Sequence, residues 1–329
     1  VADFGPLEAQ ADEEVAALWL AFSKEQVADL AAAALVGTKA HEHVQHSIWE
    51  VQVEMNKLRD GRPPYISMLD RWFPHRYDVV CGKFKTCVND SLQDEDYIRR
   101  GVLRLIELGD GRYPTLRGIV SMMTLFGIQT ARQFPFHTAL EMYKKYAPEG
   151  GDVLDPCSGW GSRLVSWNAS GLGGTYTGFD ASLETVKATH RMIEDLGLEG
   201  SVTHSAYEDV LLKDDSFDFA FTSPPYFTVE RYSSDEEQSC VRYAGDYQSW
   251  HDGFLEPMIS KTVAALKPGS TFVLNVSDAY GNKVVEHSVA LLEHHGAQVE
   301  TQMLIDVGAG SSSELNKGGT EDLVVATIL

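Results

Sequence analysis

From residue 150 onward, short apolar runs alternate with amphipathic segments, and this alternation constrains the fold more than any other feature. The apolar runs fall at 153–155, 175–180, 202–204, 217–222, 271–276, 298–305 and 323–329. Helical periodicity starts between them at about Ser162, Ser182, Tyr247 and Lys283. Strands alternating with helices predict a parallel, doubly wound α/β sheet with helices on both faces. Residues 308–319, rich in Gly and Ser, carry no helix signal. The return across them is therefore hairpin-like, and one strand near the end is expected to be antiparallel.

The fourth run, Phe217-Asp218-Phe219-Ala220-Phe221-Thr222, stops at Ser223-Pro224-Pro225-Tyr226-Phe227. Proline cannot donate to a sheet ladder, so the strand ends at or before Pro224. Parallel α/β sheets place their chemistry at such carboxyl ends of strands. Read in isolation, the stretch is equally a strand followed by a plain turn.

The first strand ends in Asp155-Pro156-Cys157-Ser158-Gly159-Trp160-Gly161-Ser162-Arg163. Its glycines let backbone approach a ligand, and the helix that follows at once turns N–H groups toward the crevice. Leu164 stands where a dinucleotide-binding loop would have its third glycine, which disfavours a pyrophosphate ligand. An acid beside a short Gly loop suits a positively charged ligand. The second strand ends in Asp180, followed by Ala181, where a carboxylate can accept the hydroxyls of a ribose. Glu208 and Asp209 follow the third strand, placed for an adenine amino group. An acid at each of three strand ends describes a site for an adenosine with a cationic tail, S-adenosylmethionine.

These motifs resemble the S-adenosylmethionine-dependent amino-methyltransferases that act on DNA bases. Asp155 to Gly161 is similar to their D-P-F-x-G-x-G cofactor motif. Ser223-Pro224-Pro225-Tyr226 matches their catalytic tetrapeptide, in the form most often seen in N4-cytosine enzymes. Gln133-Phe134-Pro135-Phe136-His137, read as a helix before the first strand, resembles the preceding motif. In the family that motif packs on the cofactor's methionine end, which marks Phe134 and Pro135. The variant G-W-G-S-R-L with Glu230-Arg231-Tyr232 and Tyr247-x-x-Trp250 is most similar to methyltransferase-like proteins of bacteriophages. The resemblance implies a Rossmann-like class I methyltransferase sheet with a final antiparallel strand. It implies N4-cytosine or N6-adenine methylation in DNA, with S-adenosylhomocysteine as product and no metal.

By the family's pattern, the Ser223 hydroxyl and the Pro224 carbonyl accept the two N–H groups of the target amine. Tyr226 stacks on the target ring, Phe227 assists, and Ser223 also borders the cofactor. A base in duplex DNA has to be flipped out to reach such a site. Arg231 and Tyr232, in a polar loop at 228–247, read as a lid over substrate or as ordinary surface. Asn275 and Asp278 follow the next strand and can line the crevice. Cys157, Trp160 and Arg163 depart from the family pattern. Trp160 either narrows the pocket, stacks on a ligand, or packs at a helix start.

Residues 10–34 have helical periodicity, with Ser23 as an internal cap, and a second helix is predicted over 41–58. His41, His43 and His46 read as plain surface histidines. Residues 65–115 are irregular and aromatic, followed by helices predicted at 118–128 and 138–146. Arg99, Arg100, Arg104, Arg112, Arg117, Arg132, Lys144 and Lys145 make this the least acidic part of the chain. They form either a substrate-facing surface or a charged helix face. The expected division is a mainly helical accessory region at 1–130 and a methyltransferase domain at 131–329.

The 329 residues are 43% hydrophobic and 23% charged, with a formal net charge of −21. Such an acidic balance argues against a general nucleic-acid binder, though it permits a local basic face. Acceptors in RNA, a peptide or a small metabolite, or binding of the cofactor without turnover, stay open beside DNA. Cys81, Cys87, Cys157 and Cys240 form no C-x-x-C pair, and His75, Cys81 and Cys87 match no common metal spacing. No stretch of membrane-spanning length is apolar, and the first ten residues lack the marks of a signal peptide, so a cytoplasmic protein is expected.

Overall fold

A computed structural model describes residues 47–62, 64, 68–81, 86–94, 97, 100, 128, 131–306 and 320–329. The helix expected over 10–34, the three early histidines, Arg99, Arg104, Arg112, Arg117 and the 308–319 segment lie outside these residues, as does the 118–128 helix except for Ile128. The chain divides into two compact units, Val1–Gln45 with Pro74–Ala131, and His46–Phe73 with Arg132–Leu329.

In the first unit, a tight turn over Pro74–Asp78 buries the Arg76 guanidinium. Its Nη1 donates to the Ala131 carbonyl at 2.7 Å, and its charge lies 4.6 Å from the Tyr77 ring centroid. A four-residue helix at Val88–Ser91 starts at Cys87, whose Sγ accepts the Asp90 N–H at 3.3 Å. Cys87 thus caps this helix, and burial raises its thiol above its ordinary pKa.

The second unit begins with α1, Ile48–Arg59. Ser47 and Glu50 close a capping box at its start, and Val51, Met55 and Leu58 are buried. Just beyond it, Trp72 donates its indole N–H to Asp195 at 2.8 Å. The sheet and its helices follow as α2 (Phe136–Tyr146), β1 (Asp152–Asp155), α3 (Ser162–Ser170), β2 (Thr175–Asp180), α4 (Leu183–Leu196), β3 (Ser201–His204), β4 (Phe217–Thr222), α5 (Glu256–Ala265), β5 (Leu266–Val276), α6 (Val284–His294), β6 (Ala297–Asp306) and β7 (Thr320–Ile328). Residues 133–135 precede α2 and are not helical, which corrects the helix expected from Gln133. Proline disfavours the helical conformation in the residue before it, so Phe134 stays outside and Pro135 caps with its carbonyl.

The strand order is β3-β2-β1-β4-β5-β7-β6. All neighbours are parallel except those of β7, which runs antiparallel to both β5 and β6. This is the doubly wound, Rossmann-like sheet expected, with its late antiparallel strand. β4 shows how it is covered. Phe219 and Phe221 face Tyr143 of α2 at ring separations of 5.8 and 5.6 Å. Ala220, on the opposite face, joins the core of Trp250, Phe254, Met258 and Ile259 beneath α5. The helix leading into α5 is interrupted by a wide π turn at His251–Leu255, where Gly253 makes room for the Tyr243 ring.

Candidate active site

The strand order reverses at β1, which has β2 on one side and β4 on the other. Ligand sites of open α/β sheets lie outside the carboxyl ends at such a point. The loop from Asp155 to Gly161 is tied to both neighbours there. Ser158 N–H donates to the Phe179 carbonyl at 2.8 Å and Gly159 N–H to Asp180 Oδ2 at 3.0 Å, both on β2. Cys157 N–H donates to Thr222 Oγ1 on β4 at 3.0 Å. Gly159 (φ +57°) and Gly161 (φ +78°) take the left-handed conformation that releases the chain into α3. A Cβ on Gly161 would meet Met192 Cε at 2.5 Å, whereas one on Gly159 would meet nothing within 4 Å. Gly159 therefore presents an open face.

Asp155 is fully buried, and protein groups take up both of its oxygens. Arg163 Nε donates to Oδ2 at 2.7 Å and Arg163 Nη2 to Oδ1 at 3.2 Å. The Tyr176 hydroxyl adds 2.5 Å to Oδ2, and Cys157 N–H adds 3.3 Å to Oδ1. The acid expected to meet a cationic ligand instead neutralises an internal arginine. Arg163 also donates to the Cys157 carbonyl and lies 5.7 Å from the Phe134 ring centroid. Phe134 packs edge-on against Phe221, with 5.3 Å between centroids. Phe134, Arg163 and Asp155 thus brace the loop from behind. Pro156 is buried, and burial holds the Cys157 thiol well above its ordinary pKa.

Asp180 is differently placed. It is only partly covered, and each oxygen takes one backbone N–H, Gly159 on Oδ2 at 3.0 Å and Ser182 on Oδ1 at 2.8 Å. Each oxygen keeps a lone pair for a further donor. Loss of hydration outweighs these bonds and pushes the carboxyl up to about 6. The Ala181 carbonyl lies 3.1 Å from His204 Nε2. Glu208 and Asp209 are bridged by Arg242, whose Nη1 reaches Glu208 Oε1 at 3.2 Å and Asp209 Oδ2 at 2.6 Å. Burial nevertheless raises the Glu208 carboxyl.

Arg242 belongs to the 228–247 loop, which touches the site elsewhere too. His204 Nε2 lies 3.0 Å from Glu237 Oε2. Trp160 meets Tyr232 edge-on at 5.7 Å and is almost fully buried, so it packs under the loop. The Tyr232 hydroxyl donates to Glu230, while Arg231 is exposed.

At the end of β4, Ser223, Pro225, Tyr226 and Phe227 are half-buried and Pro224 is buried. Phe227 adopts φ +56°, uncommon for a bulky residue, with its ring 5.9 Å from Tyr247 and 6.1 Å from Trp250. Ser223 Oγ and Tyr226 Oη are 3.2 Å apart. Asn275 Nδ2, fully buried on β5, lies 3.0 Å from Ser223 Oγ and 2.5 Å from Tyr226 Oη. Asp278 instead accepts the Val285 N–H at 3.0 Å in the first turn of α6.

Sequence reasoning missed Glu321. Its Oε2 accepts from Tyr226 Oη at 2.9 Å and from Asn275 Nδ2 at 2.6 Å. It also missed half-buried Glu230, whose carboxyl is pushed up to about 7 by desolvation, with Glu321 adding repulsion. Glu321 sits in no local motif, and nothing local in Glu230-Arg231-Tyr232 marks its acid as one that the fold partly covers. Among the described residues, no group of three His, Cys, Asp or Glu side chains could hold a metal ion, and no helix is long and apolar enough to cross a membrane.

No protein-family model matches this chain, and no curated protein does. Solved structures give distant likenesses. A methyltransferase from Methanosarcina mazei is 14% identical, with 57% of this chain and 97% of that one aligned at a TM-score of 0.40. A methyltransferase from Pyrococcus furiosus is 16% identical, with 63% and 92% aligned at a TM-score of 0.42. A Thermus thermophilus 16S rRNA N2 G1207 methyltransferase, solved with AdoMet and guanosine, is 17% identical, with 59% and 43% aligned at 0.39. With scores this low, none of them says what this chain does.

Proposed function

We propose that this protein is an S-adenosylmethionine-dependent N-methyltransferase that modifies an exocyclic amine of a nucleobase, with DNA as the favoured substrate. The carrying observation is that the Ser223–Tyr226–Asn275 cluster and the Asp155–Gly161 loop share the switch point of one sheet, joined by the 3.0 Å bond from Cys157 N–H to Thr222. The residues present fit the cofactor. Gly159 leaves an open face that a Cβ would fill, and the Asp180 oxygens keep lone pairs for ribose hydroxyls. Glu208 and Asp209 are the acceptors for the adenine amino group. Asp155 is not available for the methionine ammonium, so backbone carbonyls of the loop take that role. Bound there, the cofactor supplies an activated methyl group on sulfur.

The chain's task is to prepare and hold the acceptor. An exocyclic amine is a poor nucleophile because its lone pair is delocalised into the ring. Ser223 Oγ and the Pro224 carbonyl accept its N–H groups and favour a tetrahedral nitrogen. Orientation then supplies most of the acceleration. A second reading, a small-metabolite or peptide amine as acceptor, is favoured by two half-buried acids next to the Ser223–Tyr226 pair, Glu321 bonded to Tyr226 at 2.9 Å and Glu230 near enough to Glu321 to be repelled by it.

Incubation with methyl-labelled S-adenosylmethionine and a panel of DNA, RNA, peptide and metabolite acceptors tests the proposal, with the product identified by mass spectrometry. Label on N4 of cytosine or N6 of adenine is the expected result. Binding to DNA should weaken steeply as salt rises. Absence of DNA binding even at low salt, with label on a small amine, would establish the second reading instead.

A further inference from the structure

The hydroxyls and acid around Ser223 form a chain whose hydrogen-bond directions can be worked out. Glu321 Oε2 accepts from Tyr226 Oη at 2.9 Å. A carboxylate only accepts, so the Tyr226 proton points at Glu321. The proton between Ser223 Oγ and Tyr226 Oη, 3.2 Å apart, must then be the serine's. Asn275 Nδ2 faces Ser223 Oγ at 3.0 Å, Tyr226 Oη at 2.5 Å and Glu321 Oε2 at 2.6 Å, and its two protons take at most one lone pair of Ser223. At least one lone pair of Ser223 is left for the acceptor amine. No hydrogen bond reaches Glu321 Oε1 among the described residues.

We propose that Glu321 receives the proton released by the acceptor amine, through Ser223 and Tyr226. This rests on the amine-methylation reading above. As the nitrogen lone pair forms the N–CH3 bond, the S–CH3 electron pair returns to sulfur and the sulfonium becomes a neutral thioether. The nitrogen gives its proton to Ser223 Oγ, the serine proton moves to Tyr226 Oη, and the tyrosine proton moves to Glu321 Oε2. The protonated carboxyl then turns so that this proton faces away from Tyr226 and passes to water, and the hydroxyls rotate back to their starting directions. Charge and atoms balance without a further reagent. Neither Ser223 nor Tyr226 need exist as a free anion, which matters because burial holds Tyr226 well above its ordinary pKa.

Among the described residues, the titratable groups facing Glu321 are Tyr226 and Glu230 from the segment after β4, and Asp322 beside it on β7. Desolvation raises the Glu321 carboxyl, and its bonds from Asn275 and Tyr226 lower it. Proton acceptance requires the ionised form, so turnover should rise with pH through this titration.

The first measurement needs no cofactor. Carboxyl carbon NMR of the full chain, with Glu321→Gln to assign the signal, should find Glu321 titrating above the ordinary carboxylate range. Tyr226→Phe should move it higher still. A Glu321 titration in the ordinary range that Tyr226→Phe does not move overturns the relay. The second measurement is single-turnover methyl transfer against pH. Glu321→Gln should lose at least about 100-fold and its acid limb, Glu230→Gln should keep that limb, and Glu321→Asp should recover part of the rate. If Glu321→Gln does not fold, Tyr226→Phe, which keeps ring and acid, should show the same loss. A wild-type protein that methylates no acceptor defeats the function proposed above, and the relay with it. A Glu321→Gln protein with wild-type rate and acid limb defeats the relay alone.

Discussion

The Arg163 guanidinium grips the Asp155 carboxylate from two sides, Nε to Oδ2 at 2.7 Å and Nη2 to Oδ1 at 3.2 Å, with both residues buried. Tyr176 and Cys157 complete the carboxylate's hydrogen bonds, so the charge is paid for locally. Removing one partner leaves the other charged and dry. Arg163→Leu alone, or Asp155→Leu alone, should cost about 3–5 kcal/mol in urea unfolding. The double substitution should cost clearly less than the sum of the two, because no unpaired charge remains. Additive losses would mean that the pair is not coupled.

Much of this architecture was legible. β1, β2, β4 and the helices between them follow from apolar runs and caps that are local in sequence, and Ser223 stands out because Pro224 must end its strand. Asp180 was legible because it terminates β2. Glu321 was not, because Tyr226 lies 95 residues away in the chain. Only the insertion of β7 beside β5, with Leu323 opposite Asn275, puts Glu321 diagonally across from that asparagine. The role of Asp155 was misjudged for a related reason. Arg163 was visible eight residues on, but whether it points back at Asp155 or outward depends on how α3 leaves the loop.

Asp180 offers a pH test of the cofactor site. Its carboxyl is pushed up to about 6, so it is protonated below that value and ionised above it. Only the ionised form accepts on both oxygens. Affinity for S-adenosylmethionine should therefore rise as pH increases through about 6 and level off above it. Asp180→Ala should weaken binding by roughly 10- to 100-fold at neutral pH, the scale of hydrogen bonds to a charged group, and abolish the pH dependence. Calorimetry that finds wild-type affinity in Asp180→Ala would remove the ribose assignment.

The two loop glycines should separate folding from binding. Both have positive φ, so an alanine at either costs about 1–2 kcal/mol of backbone strain. At Gly161 the added Cβ also presses on Met192, 2.5 Å away, and the loss in thermal stability should be the larger of the two. At Gly159 it would meet no protein atom within 4 Å and would stand in the open face instead. Gly159→Ala should lose more cofactor affinity than stability, and Gly161→Ala the reverse. Equal stability losses with unchanged affinity in both variants would place the ligand elsewhere.

Arg242 tests whether the 228–247 loop is a cover. Its side chain is partly exposed, and such ion pairs add little to stability, so Arg242→Ala should change it by no more than about 1 kcal/mol. It is nonetheless a clamp from this loop onto Glu208 and Asp209, the acids assigned to the adenine edge. Its loss should free the loop's chain, and limited proteolysis should cut within 228–247 faster than in the wild type. S-adenosylmethionine should slow that cleavage in the wild type more than in the variant, because only the wild type can close again over the bound adenine. A cleavage rate that the substitution leaves unchanged would show that the Arg242 ion pairs do not hold the loop.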